Sequence, residues 1–262
     1  MRIFISIASY CDPLLGFTVE RAILTAAAPE RLHFGVVDQS PAGTPHMVSL
    51  GAGARLSQVR IDASEARGPC GARALAMTLY DGEDWYLQLD SHMDFEPGWD
   101  ERLVAQATAL GAPQRPLVIS TYPEAFRFEN GEPVRVPTQG GVLAQVVKAD
   151  CSFDPEHPVL TFVACPVAGA APLPGFHVGG GWLVAPGRVT QAGPFDPRLY
   201  FHGEEQALAL RLYTHGWDLF HMPGLPVRHL YNDANSGAPP RPMHWDEAHD
   251  AARPVGWWTH EQ

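Results

Sequence analysis

The sequence predicts an α/β fold built on a Rossmann-like, mostly parallel central sheet, with helices on both faces and an irregular β insertion. Two observations predict it. Through the first half, apolar strand-like runs alternate with helical stretches, the rhythm of a parallel sheet covered on both sides. After Tyr122 that rhythm breaks: Pro123, Pro133, Pro137, Pro155, Pro158, Pro166, Pro172 and Pro174 interrupt short β-prone pieces. Proline cannot donate to a ladder, so these pieces are expected as short or edge strands in an insertion spanning about 122–175.

Element by element, Arg2 to Ala8 is an apolar strand, and Asp12-Pro13 has the form of an N-cap with proline at the first helical position. The helix it opens carries Leu14, Leu15, Ala22 and Ile23. Leu32 to Val37 is a buried strand ending at Asp38-Gln39, and a short strand is expected near Leu56 to Ile61. A helix follows from about Gly71 to Tyr80, then a buried strand from Asp84 to Asp90, a helix from Trp99 to Leu110 and a strand from Leu117 to Thr121. Within the insertion, Val142 to Val147 and Val159 to Val163 are β-prone. Order resumes with a strand at Phe176 to Val184, a helix at Glu204 to Thr214 and a final strand around Trp217 to His221. Without repeat or linker, residues 1–231 form one domain, and a Pro-, His- and Trp-rich tail at 232–262 is expected on or near its active site.

Composition narrows the function. With 45% hydrophobic and 10% aromatic residues in 262, the chain can bury a core. A net charge of −11 excludes a nucleic-acid groove, which needs a basic surface. It leaves room for a nucleotide diphosphate neutralised by a divalent cation and an arginine. No apolar run reaches the roughly 18–20 residues of a membrane span, and the N-terminus lacks the apolar core of a signal peptide, so a cytoplasmic protein is expected. Cys11, Cys70, Cys151 and Cys165 are far apart and are expected as free, mostly buried thiols.

Five segments carry chemistry. Trp85 to Asp90 is an apolar strand running into Asp90-Ser91-His92, whose D-x-H spacing places a carboxylate and an imidazole together beyond a strand's carboxyl end. That donor pair suits a Mn²⁺-like ion sharing diphosphate oxygens, and equally a strand end capping its own loop. Ala66-Arg67-Gly68-Pro69-Cys70-Gly71-Ala72-Arg73 sets Arg67 before a helix start, where a guanidinium and backbone N–H groups meet an anion, or where a surface arginine simply stands. In Gly179-Gly180-Gly181-Trp182 the backbone can approach a ligand with Trp182 against a ring, unless the run is a turn beside a core tryptophan. Gly203-Glu204-Glu205 puts two acids at a helix start; adjacent residues diverge by about 100°, so at most one is expected to reach the metal. Finally, His229 and Tyr231 follow at alternate positions.

In this order, Ile7 to Pro13, Ala66 to Cys70, Gln88 to His92, Gly203 to Glu205 and Thr214 to Phe220 resemble the Skp1-type hydroxyproline N-acetylglucosaminyltransferases and their bacterial relatives. The second half is also similar to the polypeptide N-acetylgalactosaminyltransferases. The resemblance covers roughly Arg2 to Tyr231 and implies a GT-A fold, a Mn²⁺ or Mg²⁺ ion, a UDP-sugar donor (UDP-GlcNAc foremost) and retention of configuration. It further implies Asp90, His92 and His229 as the metal set, Ser9, Tyr10 and Asp38 facing the uridine, and Arg67 on the diphosphate. Gly180, Gly181, Glu204 and Glu205 would line the donor sugar, and the acceptor would be a glycan or protein hydroxyl.

Asp90 and the two glutamates are then the catalytic acids. Retention needs a carboxylate nucleophile, which Glu204 or Glu205 would supply, or attack on the face that UDP leaves; the second is preferred. Two other classes stay open: a metal-dependent nucleotidyl or phosphoryl transferase, although no G-x-x-x-x-G-K loop is present, and a non-catalytic nucleotide-sugar or glycan-binding module.

Overall fold

The computed structural model describes residues 1–44, 50–138, 141–156, 158–233 and 235–243. Strand β1 (Ile3–Tyr10) leads into α1 (Leu15–Thr25), β2 (Leu32–Gln39), β3 (Arg55–Arg60), α2 (Gly68–Met77), β4 (Trp85–Asp90), β5 (Met93–Phe95), α3 (Trp99–Ala109) and β6 (Leu117–Ile119). The insertion contributes β7 (Glu124–Glu129), β8 (Glu132–Val136), β9 (Val142–Val147) and β10 (Phe162–Val167). Next, among the described residues, come β11 (Leu173–Gly175), β12 (Trp182–Pro186), α4 (Val189–Ala192), α5 (Glu204–Thr214), β13 (Asp218–His221) and β14 (Val227–His229).

Among the described residues, eight strands form the central sheet in the order β11-β13-β6-β12-β4-β1-β2-β3. The first half makes its parallel part, β3-β2-β1-β4, while β12 enters antiparallel between β4 and β6. Strand alternation sends β1 side chains to two cores. Ile3, Ile5 and Ile7 pack with Val19 of α1 and Trp99 of α3, whereas Phe4 joins Tyr86, Leu183 and Leu212 of α5 on the other face. A four-stranded sheet, β5-β14-β7-β8, stands at the carboxyl side, and β9 pairs with β10 alone.

Several boundaries differ from the sequence expectation. Helix α1 begins at Leu15, because Asp12 turns one oxygen to the Leu14 N–H in a two-residue turn instead of capping the helix. Helix α2 begins at Gly68, ahead of the expected Gly71: Gly68 takes φ +72°, and Pro69 fits the first turn, where no donor is needed. The expected strand Phe176–Val184 shortens to β12, because side chains hold its first half: Gly179 N–H donates to Ser120 Oγ and Gly180 N–H to Glu205. Val159–Val163 gives way to β10, since Leu160 N–H is taken by Gln206 Oε1 and ladder pairing starts at Phe162. Trp217–His221 is not the last strand, as β14 follows. None of the four cysteines is in a disulfide, but only Cys70 is buried; Cys11, Cys151 and Cys165 are half-buried.

One packing constraint is testable. A Cβ on Gly35 would overlap the ring of Phe4, which is itself fixed edge-on against His33 and Tyr80. Gly35→Ala is expected to cost about 1–3 kcal/mol in urea unfolding, as overpacking does. Adding Phe4→Leu should return part of that loss; independent, additive losses would disprove the clash.

Candidate active site

The parallel register brings the carboxyl ends of three strands level: Ala8 lies opposite Asp90, Ser9 opposite Asp38 and Tyr10 opposite Gln39. A cavity of about 270 Å³ opens there, lined among others by Tyr10, Gln39, Arg73, Asp90, His92 and His229. It lies where open α/β sheets hold ligands.

Asp90, His92 and His229 converge, with one potential ligand atom from each within 4.8 Å of the others. His229 Nε2 lies 3.1 Å and His92 Nε2 3.7 Å from Asp90 Oδ2. Three elements deliver them: Asp90 ends β4, His92 sits in the bend before β5, and His229 ends β14, which pairs with β5 at Met93.

Asp12 fixes the His92 ring. Its Oδ2 accepts from Ser91 Oγ and stands 2.7 Å from His92 Nδ1, while Oδ1 accepts the Leu14 N–H. Burial pushes the Asp12 carboxyl up, but the His92 hydrogen bond and charge outweigh it and hold it below the ordinary carboxylate range. An ionised Asp12 accepts the Nδ1 proton, so the His92 ring is held with Nε2 toward Asp90. Burial likewise raises Asp90, and the His229 hydrogen bond with the charges of His92 and Arg73 more than reverses this, leaving it ionised. Burial lowers His229 below the ordinary imidazole value, so it is neutral at pH 7, and its buried Nδ1 has no hydrogen-bond partner among the described residues. One carboxylate and two imidazoles, with a nitrogen left unsatisfied, fit a divalent transition-metal ion.

Arg73 joins this cluster to the helix start of α5. Its Nη2 lies 3.3 Å from Asp90 Oδ1 and its Nη1 contacts Glu204 Oε1, while Glu204 Oε2 accepts from Cys70 Sγ at 3.1 Å. Burial opposes the guanidinium charge, but Glu204 and Asp90 hold it cationic. Burial raises Glu204 above the ordinary value against the pull of Arg73. Glu205 diverges as helix geometry requires, accepting the Gly180 N–H and standing 3.3 Å from His177 Nε2. Both acids therefore reach the glycine run by different routes, and Glu204 reaches the Asp90 cluster through Arg73.

Of the remaining sequence candidates, Tyr10 lines the cavity. Ser9 is fully buried, its Oγ without a hydrogen-bond partner among the described residues, and Asp38 is buried against Ser40 Oγ and Arg60, next in sequence to the lining residue Gln39. Arg67 is exposed at the N-cap of α2, beside Gly68 and Pro69, which do line the cavity. A Cβ on Gly181 would come within 2.7 Å of Asp90 Oδ2, and one on Gly180 within 2.8 Å of Glu204 Oε1. Trp182 is not at the cavity but in the core. Asn232, Arg241, Pro242 and Met243 of the tail line the cavity, and Arg241 Nη1 lies 3.6 Å from Asp12 Oδ2. Residues 244–262, with the rest of the Trp-rich tail, lie outside the described residues.

Sequence reasoning missed Asp12, Arg73 and Arg241. Asp12 had the form of a helix cap, Arg73 was passed over for its neighbour Arg67, and Arg241 stands in a segment with no period.

A family model, Glycosyltransferase (GlcNAc), matches residues 44–255, and the chain belongs to this family. A crystal structure of GalNAc-T7 with UDP, GalNAc and Mn²⁺ superposes with TM-score 0.64 at 15% identity, covering 91% of this chain and 45% of that one. S. aureus TarS superposes with TM-score 0.54 at 12% identity, covering 88% and 37%. Its residues 1–349 in complex with UDP-GlcNAc superpose with TM-score 0.50 at 12% identity, covering 90% and 60%. The chain thus spans less than two thirds of each, and these likenesses establish the GT-A fold. No curated protein matches by sequence. No helix among the described residues is long and apolar enough to cross a membrane.

The buried charge network yields a prediction. Arg73→Met leaves Glu204 and Asp90 without their shared counter-charge, and breaking a buried pair in this way costs about 3–5 kcal/mol. Urea unfolding should register that loss, and Glu204→Leu in the same chain should recover part of it. An Arg73→Met protein as stable as the parent would mean that the network carries no net charge coupling.

Proposed function

We propose that this family member transfers a sugar, GlcNAc foremost, from a UDP-sugar to an acceptor hydroxyl of a glycan or protein, with retention, using Mn²⁺ or Mg²⁺ at Asp90, His92 and His229. The observation that carries this reading is the convergence of those three side chains at the sheet's carboxyl edge, with Asp12 orienting His92. The Skp1-type relationship is part of the proposal and rests on the ordered motifs. The UDP, GalNAc and Mn²⁺ of the GalNAc-T7 structure and the UDP-GlcNAc of the TarS structure support the donor class.

A divalent ion at this cluster would supply Lewis-acid stabilisation of the charge that develops on the leaving diphosphate. The chain's own groups do the rest. Tyr10 and Gln39, at the ends of β1 and β2, bound the nucleoside end, with Ser9 and Asp38 behind them. Arg67 approaches the diphosphate from the mouth. Gly180 and Gly181 bring bare backbone to the donor sugar, and Arg73 keeps Asp90 charged and holds Glu204 in line with it. Glu204 is engaged by Arg73 and Cys70, and Glu205 by the Gly180 N–H, so each is occupied as a positioning group. That favours same-face attack over a glutamyl intermediate: the acceptor oxygen bonds to the anomeric carbon as the bond to UDP breaks, and the acceptor proton passes to the departing phosphate.

Chelation tests the cluster. EDTA should abolish UDP-sugar turnover and Mn²⁺ should restore it, while Asp12→Asn should weaken Mn²⁺ binding about 10–100-fold by calorimetry, the usual effect of losing a ligand's outer partner. Full turnover in chelator, or unchanged Mn²⁺ affinity in Asp90→Ala, would end the metal assignment.

Stereochemistry tests the mechanism separately. With an α-linked UDP-GlcNAc donor, NMR of the first-formed product should give the small anomeric coupling of an α-linkage. A large coupling would mean inversion and a general base among the acids, with Glu205 the first to examine.

A further inference from the structure

A second cavity, of about 330 Å³, opens beside Thr121 and Tyr122. Its lining includes Tyr122 and two acid–base pairs. Glu124 Oε2 accepts from Arg135 Nε at 2.5 Å and its Oε1 from Thr138 Oγ1 at 2.8 Å; Glu96 accepts from Arg102 and from Arg228, each at 2.6 Å. Leu143, Met222 and Leu225 add apolar surface, and Gly141, Gly169 and Ala170 of the proline-rich insertion complete one wall.

This cavity shares structure with the donor site. Tyr231, which lines the first cavity, donates its hydroxyl to Pro123 O at 2.8 Å, next to Tyr122. Ser120 Oγ, two residues earlier, takes the Gly179 N–H at 2.8 Å. The register of β14 on β7 sets His229 opposite Ala125, adjacent to Glu124. Burial, and then the negative charge of Glu205, push the Tyr122 hydroxyl up to about 12, so that hydroxyl is protonated and within electrostatic reach of the donor-sugar end.

The chemistry of the lining selects a ligand class. Burial raises Glu96 and Glu124, but their arginine partners more than reverse it, so both are ionised and only accept. A guanidinium has five N–H donors, and Arg135 gives only its Nε to Glu124. Each ionised ligand group would meet a like charge beside the opposite one, and the opposite one is already paired. A hydroxyl fits both partners at once, donating to carboxylate and accepting from guanidinium, while the C–H faces of a sugar ring match Leu143, Met222 and Leu225.

We infer that this second cavity is the acceptor subsite and that it takes a neutral, hydroxyl-rich sugar residue of an acceptor glycan, with Arg135, Glu124 and Tyr122 as its polar contacts. The inference rests on the transferase reading above for the word acceptor, and on the cavity alone for the ligand class. It also gives the insertion a role, as one wall of the subsite.

The test separates the two. Neutral disaccharides (lactose, maltose, cellobiose and N,N′-diacetylchitobiose) are titrated onto the full chain by NMR, with UDP titrated separately. At least one is expected to bind saturably, and Arg135→Gln and Tyr122→Phe should each weaken it about tenfold or more while leaving UDP affinity within twofold. Thermal melts of both variants establish that they fold. Saturable binding of none of the four, unchanged binding in both variants, equal losses for UDP and disaccharide, or tighter binding of a glucuronate-bearing disaccharide than of its neutral counterpart would each overturn the inference. UDP-sugar hydrolysis without disaccharide reports on the donor reading alone: its absence would sink that reading without touching disaccharide binding.

Discussion

The site depends on a half-buried carboxylate that stays ionised. Asp90 ends β4 with one oxygen 3.3 Å from Arg73 and the other facing His92 and His229. Desolvation favours its neutral form, and a protonated Asp90 would neither hold Arg73 nor offer a cation an anionic oxygen. The surrounding elements can be understood as supports for that charge. Helix α2 starts early enough to set Arg73 one turn inside the site, α5 presents Glu204 to the same guanidinium, and β14 carries His229 across from β5.

Asp12 repeats the logic one step outward. A short turn after β1 gives one of its oxygens to backbone and the other to Ser91 and His92, so the ring that faces Asp90 has a fixed orientation. The same geometry explains why α1 is not capped by Asp12: an oxygen aimed at His92 cannot also close the first turn of the helix. A local rule of helix initiation is broken where the site needs the residue, and the loss is small, since a cap is worth about 1 kcal/mol.

What was legible in the sequence follows from which signals are local. The buried strands β1, β2 and β4 are apolar runs with polar ends, and α5 is bounded by glycine and a regular pattern, so both composition and period point to them. Asp90 and His92 could be paired because two residues of chain separate them. His229 came only by resemblance, since the pairing of β14 with β5 joins segments 134 residues apart, as Arg228 and Asp94 measure it. The early start of α2, the antiparallel entry of β12 and the choice of Arg73 over Arg67 are decided by tertiary packing. A buried guanidinium between two acids looks, in sequence, like any arginine on a helix.

The glycine run illustrates how a correct residue choice can have a different cause from the usual one. Gly179, Gly180 and Gly181 are absent from the positive-φ glycines, so conformational freedom is not what the positions demand. Space is. A side chain on Gly180 would press on Arg73 and Glu204, and one on Gly181 on Asp90, so each methyl would push directly on the paired charges. The backbone itself is also in use, with Gly179 and Gly180 donating to Ser120 and Glu205 and Gly180 O accepting from Gln88. The run is therefore part of the packing of the charge network: it lets the chain turn into β12 within contact distance of Asp90, Arg73 and Glu204 without displacing them.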